Sequence, residues 1–406
     1  MSLTSGIDSA SLDPKVRPQD DLFRHYNGRW VREYQMPDDR SSDGIFRKLH
    51  DAAEAQVRQI IETATGAGEA QKIGDLYKSF MDTDAIKARG ISPIVDDLAA
   101  IDAISNLHEF ISVMARLEMR GIGGIFGAAI YPDAMDSNTN ILYLGQGGLS
   151  LPDESYYREE QFAEIRTAFL DHLAKMSALV GIADGAGIAT KILALETEIA
   201  SHHWDQVKDR DATLTYNKYS RVELESLAPH FLFDTWATDA KVPSKAFESL
   251  VVCEPSFFES VSAMLSAFDS NRDLWVAWLK LNLVSASAAF LTDNIVQQNF
   301  EFYAKTLSGT PQIRDRWKRG VSVTQGALGE AIGKVYVEKY FPARAKSEMN
   351  ILVGNLLEAY RLSIIDLPWM SEVTKAKALE KLTKFTPKIG YPDKWRDYST
   401  LEISAS

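Results

Sequence analysis

Residues 43–66 read DGIFRKLHDAAEAQVRQIIETATG, and this stretch sets the fold class. Its apolar residues recur at steps of three and four, at positions 46, 49, 53, 57, 60, 61 and 64. Because an α-helix turns once in about 3.6 residues, this spacing places them in one stripe along a helix of about six turns. Gly66 supplies a stop, since glycine readily adopts the left-handed conformation that ends helices. The stretch predicts an amphipathic helix that packs on a core.

The same periodicity continues along most of the chain and predicts a mainly α protein. Apolar stripes begin at Ile73, Ile104 and Phe162. Ser371 is an expected N-cap, because a serine hydroxyl can accept a hydrogen bond from a backbone N–H group of the first helical turn. Further helices are expected at 188–207, 256–268, 275–303 and 349–365.

A β-hairpin is the expected exception. Residues 125–131 and 140–146 are short β-prone runs, and the polar, turn-rich PDAMDSNTN joins them. The glycines of GIGGIFG at 121–127 predict a tight turn before it. A dinucleotide loop is the weaker interpretation, because the sixth position of that frame is Phe126. The expected fold class is mainly α and multi-helical with a small β-hairpin.

The composition is that of a globular protein without a nucleic-acid partner. Of the 406 residues 45% are hydrophobic, and 56 acidic against 44 basic residues give a net charge of -12, whereas nucleic-acid binding needs a basic surface. Cys253 is the single cysteine and is interpreted as a buried structural thiol. Neither a signal peptide nor a run of about 18 apolar residues occurs. A cytoplasmic location without membrane attachment is expected, and export by a non-classical route stays open.

No self-contained catalytic motif occurs in the sequence. Glu198 and His202 lie four positions apart, a spacing that can supply half of a zinc site, but a solvated ion pair is the simpler interpretation. His108 and Glu109 open like the zinc motif H-E-x-x-H, yet the fifth position is Ser112. Composition and spacing alone therefore leave the function open.

A family resemblance rests on six stretches in a fixed order. They are RPQDDLFRHYNGRWVREYQMPDDRSSDGIF (17–46), GQGGLSLPDESYY (145–157), RDATLTYNKYS (210–220), GEAIGKVYVEKYF (329–341), DLPWMSEVTKAKALEKL (366–382) and KIGYPDKWRDYS (388–399). Together they resemble consecutive blocks of the neprilysin-type zinc metallopeptidases, family M13, over approximately residues 7–403. Gln19 and Asn27 stand where secreted animal members carry cysteines, which favours a bacterial, PepO-like member.

The resemblance implies catalytic residues that this sequence lacks. Family members bind zinc through the two histidines of H-E-x-x-H and the glutamate of a downstream E-x-x-x-D helix, and neither motif occurs here. The chain is therefore expected to be the N-terminal part of such a metalloendopeptidase, with no catalytic or metal-binding residue of its own and no activity alone. Zinc is implied for the full-length parent only. Whether an expression boundary, proteolysis or a shortened gene accounts for the ending stays open.

The resemblance also implies a two-lobed arrangement. Residues 1–70 would join the lobes, 71–310 would form a helical lid lobe around a cavity, and 311–406 would be a linker and helices that pack on the missing catalytic lobe. The charge divides at a similar point, since residues 311–400 carry 16 basic and 10 acidic side chains in an otherwise acidic chain.

Substrate contacts are expected near the start of the first quoted helix. Phe46 matches a family aromatic residue of a substrate pocket, but Ser42 and His50 stand where arginines are expected. Arg40 or Arg47 would then replace one of them, while ordinary surface arginines are the simpler interpretation.

Three hypotheses follow for the whole chain. The first is an inactive part of a peptidase whose parent hydrolyses oligopeptides. The second is a stand-alone peptide-binding or regulatory module, and the third is reassembly with a separately encoded catalytic lobe. Because helices without their partner lobe would expose apolar surface, self-association is also expected.

Overall fold

A computed structural model describes residues 9–404, which form two compact units. One unit combines the chain up to Met81 with the chain from Arg314 onward and is called the split unit. The other runs Asp82–Ile313 and is called the continuous unit.

The helices and strands of residues 9–404 follow in chain order. They are α1 (Leu22–Glu33), α2 (Ile45–Glu62), α3 (Glu69–Met81), α4 (Thr83–Arg89), α5 (Ser92–Asp102), α6 (Leu107–Glu118), β1 (Phe126–Pro132), β2 (Asn140–Gln146), α7 (Ser155–Arg158), α8 (Ala163–Leu179), α9 (Gly185–Ser201), α10 (Gln206–Asp209), β3 (Asn217–Ser220), α11 (Arg221–Leu227), α12 (Phe233–Asp239), β4 (Ser249–Val252), α13 (Pro255–Leu265), α14 (Phe268–Ser287), α15 (Asp293–Phe300), α16 (Arg316–Tyr340), α17 (Ala343–Asp366) and α18 (Glu372–Thr383). A π-helix, Glu301–Thr306, continues α15, and short 3-10 helices lie at Ser9–Ser11, Glu160–Phe162, Pro229–Phe231, Ser244–Phe247 and Ala288–Phe290.

The split unit is built around α2, α3 and α16. The predicted stripe of α2 is buried at its C-terminal half, where it packs with residues of α3 and α16. A Cβ atom at Gly320 would lie 2.9 Å from the Tyr77 ring, so this glycine permits α16 to approach α3 closely. The core residues are Val57, Ile60, Ile61, Ile73, Tyr77, Val321, Leu328, Ala331, Ile332 and Tyr398.

The continuous unit packs helices around one four-stranded sheet of order β1-β2-β4-β3. Strands β1 and β2 are antiparallel, β2 and β4 are parallel, and β3 and β4 are antiparallel. Leu144, Leu250 and Val252 are fully buried, so the middle of the sheet lies in the core. Trp275 and Trp278 of α14 contribute two of the largest buried side chains. The sheet thus positions the loops that follow β2 and precede β3.

The expected fold class is confirmed, and the sheet is larger than the expected hairpin. Strands β1 and β2 agree closely with the predicted runs, and Ser371 caps α18 by accepting a hydrogen bond from the backbone N–H of Thr374. Strands β3 and β4 have four residues each. Such short segments show no clear alternation of polar and apolar residues, so the sequence pattern did not predict them.

Helix α17 exposes seven large apolar side chains, and four of them, at steps of three and four residues, form a row: Met349, Leu352, Leu356 and Tyr360. None of its 24 residues is buried. An open groove of about 470 Å³ runs along part of the helix and is lined by Met349, Ile351, Leu352 and Leu356. The exposed apolar residues are Met349, Ile351, Leu352, Leu356, Tyr360, Leu362 and Ile365.

Within residues 9–404, no single helix is long and apolar enough to cross a membrane. Phe268–Phe290 and Asp293–Thr306 reach that length and composition only as a pair bent by 108°.

Candidate functional site

The segment between α1 and α2 holds Arg40 inside an ionic cluster. The Arg40 guanidinium donates to Asp39 and Asp43 at 3.2 Å and to Asp51 at 3.0 Å, and its side chain is 11% exposed. The hydrogen bond to Asp51 raises the pKa of Arg40. Asp39 also pairs with Lys318 of α16. These residues, Asp39, Arg40, Asp43 and Asp51, are called the Arg40 cluster, and they leave the guanidinium fully engaged within the protein.

Phe46 and Arg47 lie uncovered in the first turn of α2. Phe46 is 83% exposed, and its neighbours Ile45 and Leu49 are 63% and 59% exposed. The Arg47 side chain is exposed, and its guanidinium makes no hydrogen bond or ion pair with residues 9–404. The structure therefore separates the two candidate arginines, since Arg47 has a free guanidinium and Arg40 does not.

One group of possible metal ligands follows on the same helix. Among the residues that the structure describes, His50, Asp51 and Glu54 bring their ligand atoms within 4.8 Å of one another. Asp51 is already bound to Arg40, and the buried Glu54 accepts a hydrogen bond from Arg314 at 2.6 Å. A zinc site needs ligands free to bind the ion, so this group does not fit a resident zinc.

In the continuous unit, the segment after β2 folds over a buried carboxylate. Glu196 of α9 is fully buried and accepts hydrogen bonds from the Ser150 hydroxyl at 2.7 Å, the Tyr157 hydroxyl at 2.6 Å and the Trp278 indole at 3.1 Å. The Ser150 backbone N–H adds a fourth bond at 3.2 Å. Burial raises the pKa of Glu196, while the four donors oppose that shift. Ser150, Tyr157, Glu196 and Trp278 are called the Glu196 cluster.

The stretch 210–220 connects the β1–β2 hairpin to the rest of the sheet by hydrogen bonds and an ion pair. Asp133, at the end of β1, accepts hydrogen bonds from the Tyr216 hydroxyl at 2.6 Å and from Lys218 Nζ at 3.0 Å. The Tyr216 hydrogen bond, with the Met135 N–H and Lys218, lowers the pKa of Asp133 to about 2. Asn217 donates to the Val252 carbonyl at 3.2 Å. Tyr216, Asn217 and Lys218 thus have structural partners directly after β1 and in β4.

A wide-open cavity of about 740 Å³ lies where the segments 153–159 and 205–214 approach each other. Its charged lining has five acidic and two basic side chains, so the cavity favours cationic groups. The lining residues are Asp153, Glu154, Ser155, Arg158, Glu159, Asp205, Gln206, Val207, Lys208, Asp211 and Leu214.

A second buried carboxylate belongs to Glu254, just after β4, and contacts the last residue of β2. Glu254 is 2% exposed and accepts a hydrogen bond from the Gln146 N–H at 2.7 Å. Burial and the nearby Asp209 raise the pKa of Glu254 to about 8. Burial likewise raises the pKa of the adjacent Cys253 thiol to about 12, so the half-buried cysteine is a poor nucleophile at neutral pH.

Sequence reasoning missed these buried glutamates, although one signal was present. Buried positions on α9 include Ile192, Leu195, Glu196 and Ile199, so Glu196 occupies a position in the apolar stripe. A carboxylate at such a position requires hydrogen-bond partners, because a buried polar group without them is costly.

Comparison with known proteins finds similarity to one family of peptidases. A model of peptidase family M13 matches residues 18–392. Human endothelin-converting enzyme 1 is 28% identical over 99% of this chain and 54% of its own length. Neutral endopeptidase of Lactobacillus helveticus is 27% identical over 98% of this chain and 62% of its own.

A solved structure is also similar. The crystal structure of Mycobacterium tuberculosis zinc metalloprotease Zmp1 in complex with an inhibitor has a TM-score of 0.93 and 44% identity. The match covers 100% of this chain and 62% of that one. The chain thus spans roughly half to three fifths of the length of these relatives.

Proposed function

The chain belongs to peptidase family M13, and we propose on that premise that it is the N-terminal, non-catalytic part of a zinc-dependent endopeptidase that hydrolyses short peptides. The observation that carries the proposal is the uncovered apolar row on α17, described above. Soluble proteins rarely leave a row of large apolar side chains in water unless another surface covers it. The catalytic lobe of the parent enzyme is the partner that we assign to this row.

We assign the lid lobe, predicted over 71–310, to the continuous unit. Its single large core and its own sheet are consistent with a body that moves as one piece. The physical role of such a lid is exclusion, because a closed chamber admits only short, flexible peptides.

We further propose that Phe46 forms an apolar wall of the substrate pocket and that Arg47 meets the carboxylate of the bound peptide. The 83% exposure of Phe46 and the free guanidinium of Arg47 support these roles. Arg40 receives a different role. Because its guanidinium binds three aspartates, Arg40 orients the segment that carries Phe46 instead of binding substrate.

Zinc belongs to the parent enzyme in this proposal and has no ligand in this chain. The carboxylates of the His50 group are occupied by arginines, and the sequence contains no H-E-x-x-H. Oligopeptides are the substrates of the parent, and this chain would supply surface for their selection.

Peptide cleavage by the chain, alone and complemented, tests the proposal. Alone and with added zinc, it should release no product from quenched fluorescent oligopeptides. Mixed with the catalytic segment of the 44% identical mycobacterial relative, it should give chelator-sensitive cleavage above that of the segment alone. Robust chelator-sensitive cleavage by the chain alone would contradict the assignment.

A matched pair of variants addresses the α17 row. Leu356→Glu places a charge in the apolar groove and should abolish the complementation, whereas Asn350→Glu adds the same charge outside the groove and should preserve it. Equal effects of the two substitutions would argue against docking through this row.

The acidic cavity supports a second candidate function, peptide binding without catalysis. Its volume of about 740 Å³ is in the range of ligand sites, and its lining favours cationic side chains or a peptide N-terminus. Calorimetric titration with lysine-containing and with N-acetylated acidic peptides, in the absence of metal, tests it. Binding of the cationic peptides alone would support this function, and binding of neither would exclude it.

A further inference from the structure

Strand β1 is an edge strand whose outer side has no strand partner in residues 9–404. The sheet order gives it one neighbour, β2. The Asp133 N–H donates to the Thr139 carbonyl at 2.8 Å, and hydrogen-bonded pairs alternate along an antiparallel ladder. The N–H and C=O groups of Ala128 and Ile130 therefore point away from β2. Two donors and two acceptors lie along an open edge.

This edge lacks most of the features that normally prevent strand pairing. Natural edge strands carry lysines, bulges or a covering element. The sequence FGAAIYP of β1 contains no charged residue, and only Pro132 interrupts it, at its end. Ile130 is 55% exposed and Tyr131 is 61% exposed. The strand is a template for another extended segment.

The sequence of β1 complements itself in antiparallel orientation. With a two-fold axis at Ala129, Ala128 faces Ile130 of a second copy, and Gly127 faces Tyr131 of that copy. The two large exposed side chains, Ile130 and Tyr131, then each lie opposite a small residue, which cross-strand packing favours. Because β1 has no charge, the axis brings no like charges of the strand together. Ala128 and Ile130 would exchange four backbone hydrogen bonds across it.

We propose that β1 pairs with β1 of a second copy of this chain, so that two four-stranded sheets join into one. The contact is a strand edge, which is smaller than the interface of a stable dimer, so association is weak and concentration-dependent. Each copy carries a net charge of -12, so pairing should strengthen as salt screens the repulsion. The proposal does not depend on the peptidase assignment.

Disulfide trapping tests the register of the pair. At the axis the two Ala129 residues form a non-hydrogen-bonded pair with Cα atoms about 4.5 Å apart, within the range of a disulfide. Ala129→Cys should therefore form a covalent dimer at least about tenfold faster than Tyr131→Cys, whose partner across the axis is Gly127. Non-reducing electrophoresis and intact mass measure both rates, and the unchanged chain with Cys253 sets the background.

A second variant separates this contact from association through other apolar surfaces. Ile130→Pro removes one outward N–H group without removing a bond to β2, since proline is tolerated on the open side of an edge strand. Added to Ala129→Cys, it should lower the trapping rate to that of Tyr131→Cys, with an unchanged circular dichroism spectrum. Equal rates for Ala129→Cys and Tyr131→Cys, or no effect of Ile130→Pro, would overturn the proposal. A monomeric chain whose edge captures an extended peptide would overturn it as well.

Discussion

The Tyr157 hydroxyl donates to Glu196 at 2.6 Å and accepts the backbone N–H groups of Ser150 and Leu151 at 3.2 and 3.0 Å. One phenol thus links a fully buried carboxylate of α9 to the backbone that follows β2. Two of the six sequence stretches supply residues for contacts of this kind. The stretch 145–157 supplies Tyr157, and the stretch 210–220 supplies Tyr216 and Lys218, which bind Asp133. These residues therefore hold the scaffold of the continuous unit together.

Tyr157→Phe should destabilise the continuous unit. The substitution removes one donor from Glu196 and leaves the buried Leu151 N–H without its acceptor, whereas the Ser150 N–H keeps its hydrogen bond to Glu196. The expected loss is about 1–3 kcal/mol. Urea unfolding followed by circular dichroism measures the loss. Tyr156→Phe is the matched control, because Tyr156 stacks on Phe162 through its ring. Similar losses for both variants would contradict the importance of the Tyr157 hydroxyl.

Local patterns predicted the helices and the hairpin, while the polar clusters depend on distant contacts. The apolar stripe of α2 and the β1–β2 hairpin each depend on a pattern within about twenty consecutive residues, so the periodicity of the sequence was sufficient to predict them. Glu196 occupies an apolar stripe position, which indicates a buried partner, but Trp278 lies 82 positions away. Likewise, Arg40 and Arg47 are equivalent by sequence. Only the fold brings Asp39, Asp43 and Asp51 around one of them.

Glu118→Gln should change the dependence of stability on pH. Burial raises the pKa of Glu118 from 4.5 to about 7, and its Oε1 atom has no hydrogen-bond partner among the described residues. A raised pKa in the folded state means that stability is fully present below about pH 4.5 and is lost as the pH rises through about 7. Glutamine stays neutral and avoids this loss. Between pH 5 and pH 8 the free energy of unfolding of the variant, relative to that of the unchanged chain, should therefore rise by on the order of 2–3 kcal/mol.

Urea titrations at the two pH values measure this difference. Glu164→Gln, on the exposed face of α8, removes the same charge at a surface position and should show little relative change. An equal response of both variants would show that general charge repulsion, and not Glu118, causes the effect.

His172→Phe should reduce a loss of stability that occurs as the pH falls, whereas the loss caused by Glu118 occurs as the pH rises. Burial lowers the pKa of His172 to about 4, its Nε2 atom has no partner within residues 9–404, and its ring stacks on Phe302 at 4.8 Å. The unfolded chain takes up the proton first, so stability is lost as the pH falls from about 6.5 towards 4. Phenylalanine keeps the stacked ring and cannot be protonated. The variant should therefore lose less stability across this window.

Thermal unfolding between pH 7 and pH 4 measures the effect of His172. His108→Gln, at an exposed position of α6, controls for the removal of any histidine. A parallel fall in melting temperature for the His172 variant and the unchanged chain would rule out this contribution.

Arg40 and Arg47 should separate stability from substrate recognition. Arg40→Ala leaves Asp39, Asp43 and Asp51 without their shared cation and should cost about 2 kcal/mol or more, whereas Arg47→Ala should change stability by less than about 0.5 kcal/mol. In the complemented peptidase, Arg47→Ala should raise KM about tenfold for a peptide with a free C-terminal carboxylate, because a charge-assisted hydrogen bond is lost. The amidated form of the same peptide offers no carboxylate, so its KM should stay unchanged. A KM increase of equal size for both peptides would assign Arg47 to general packing, and no increase for either would remove it from the pocket.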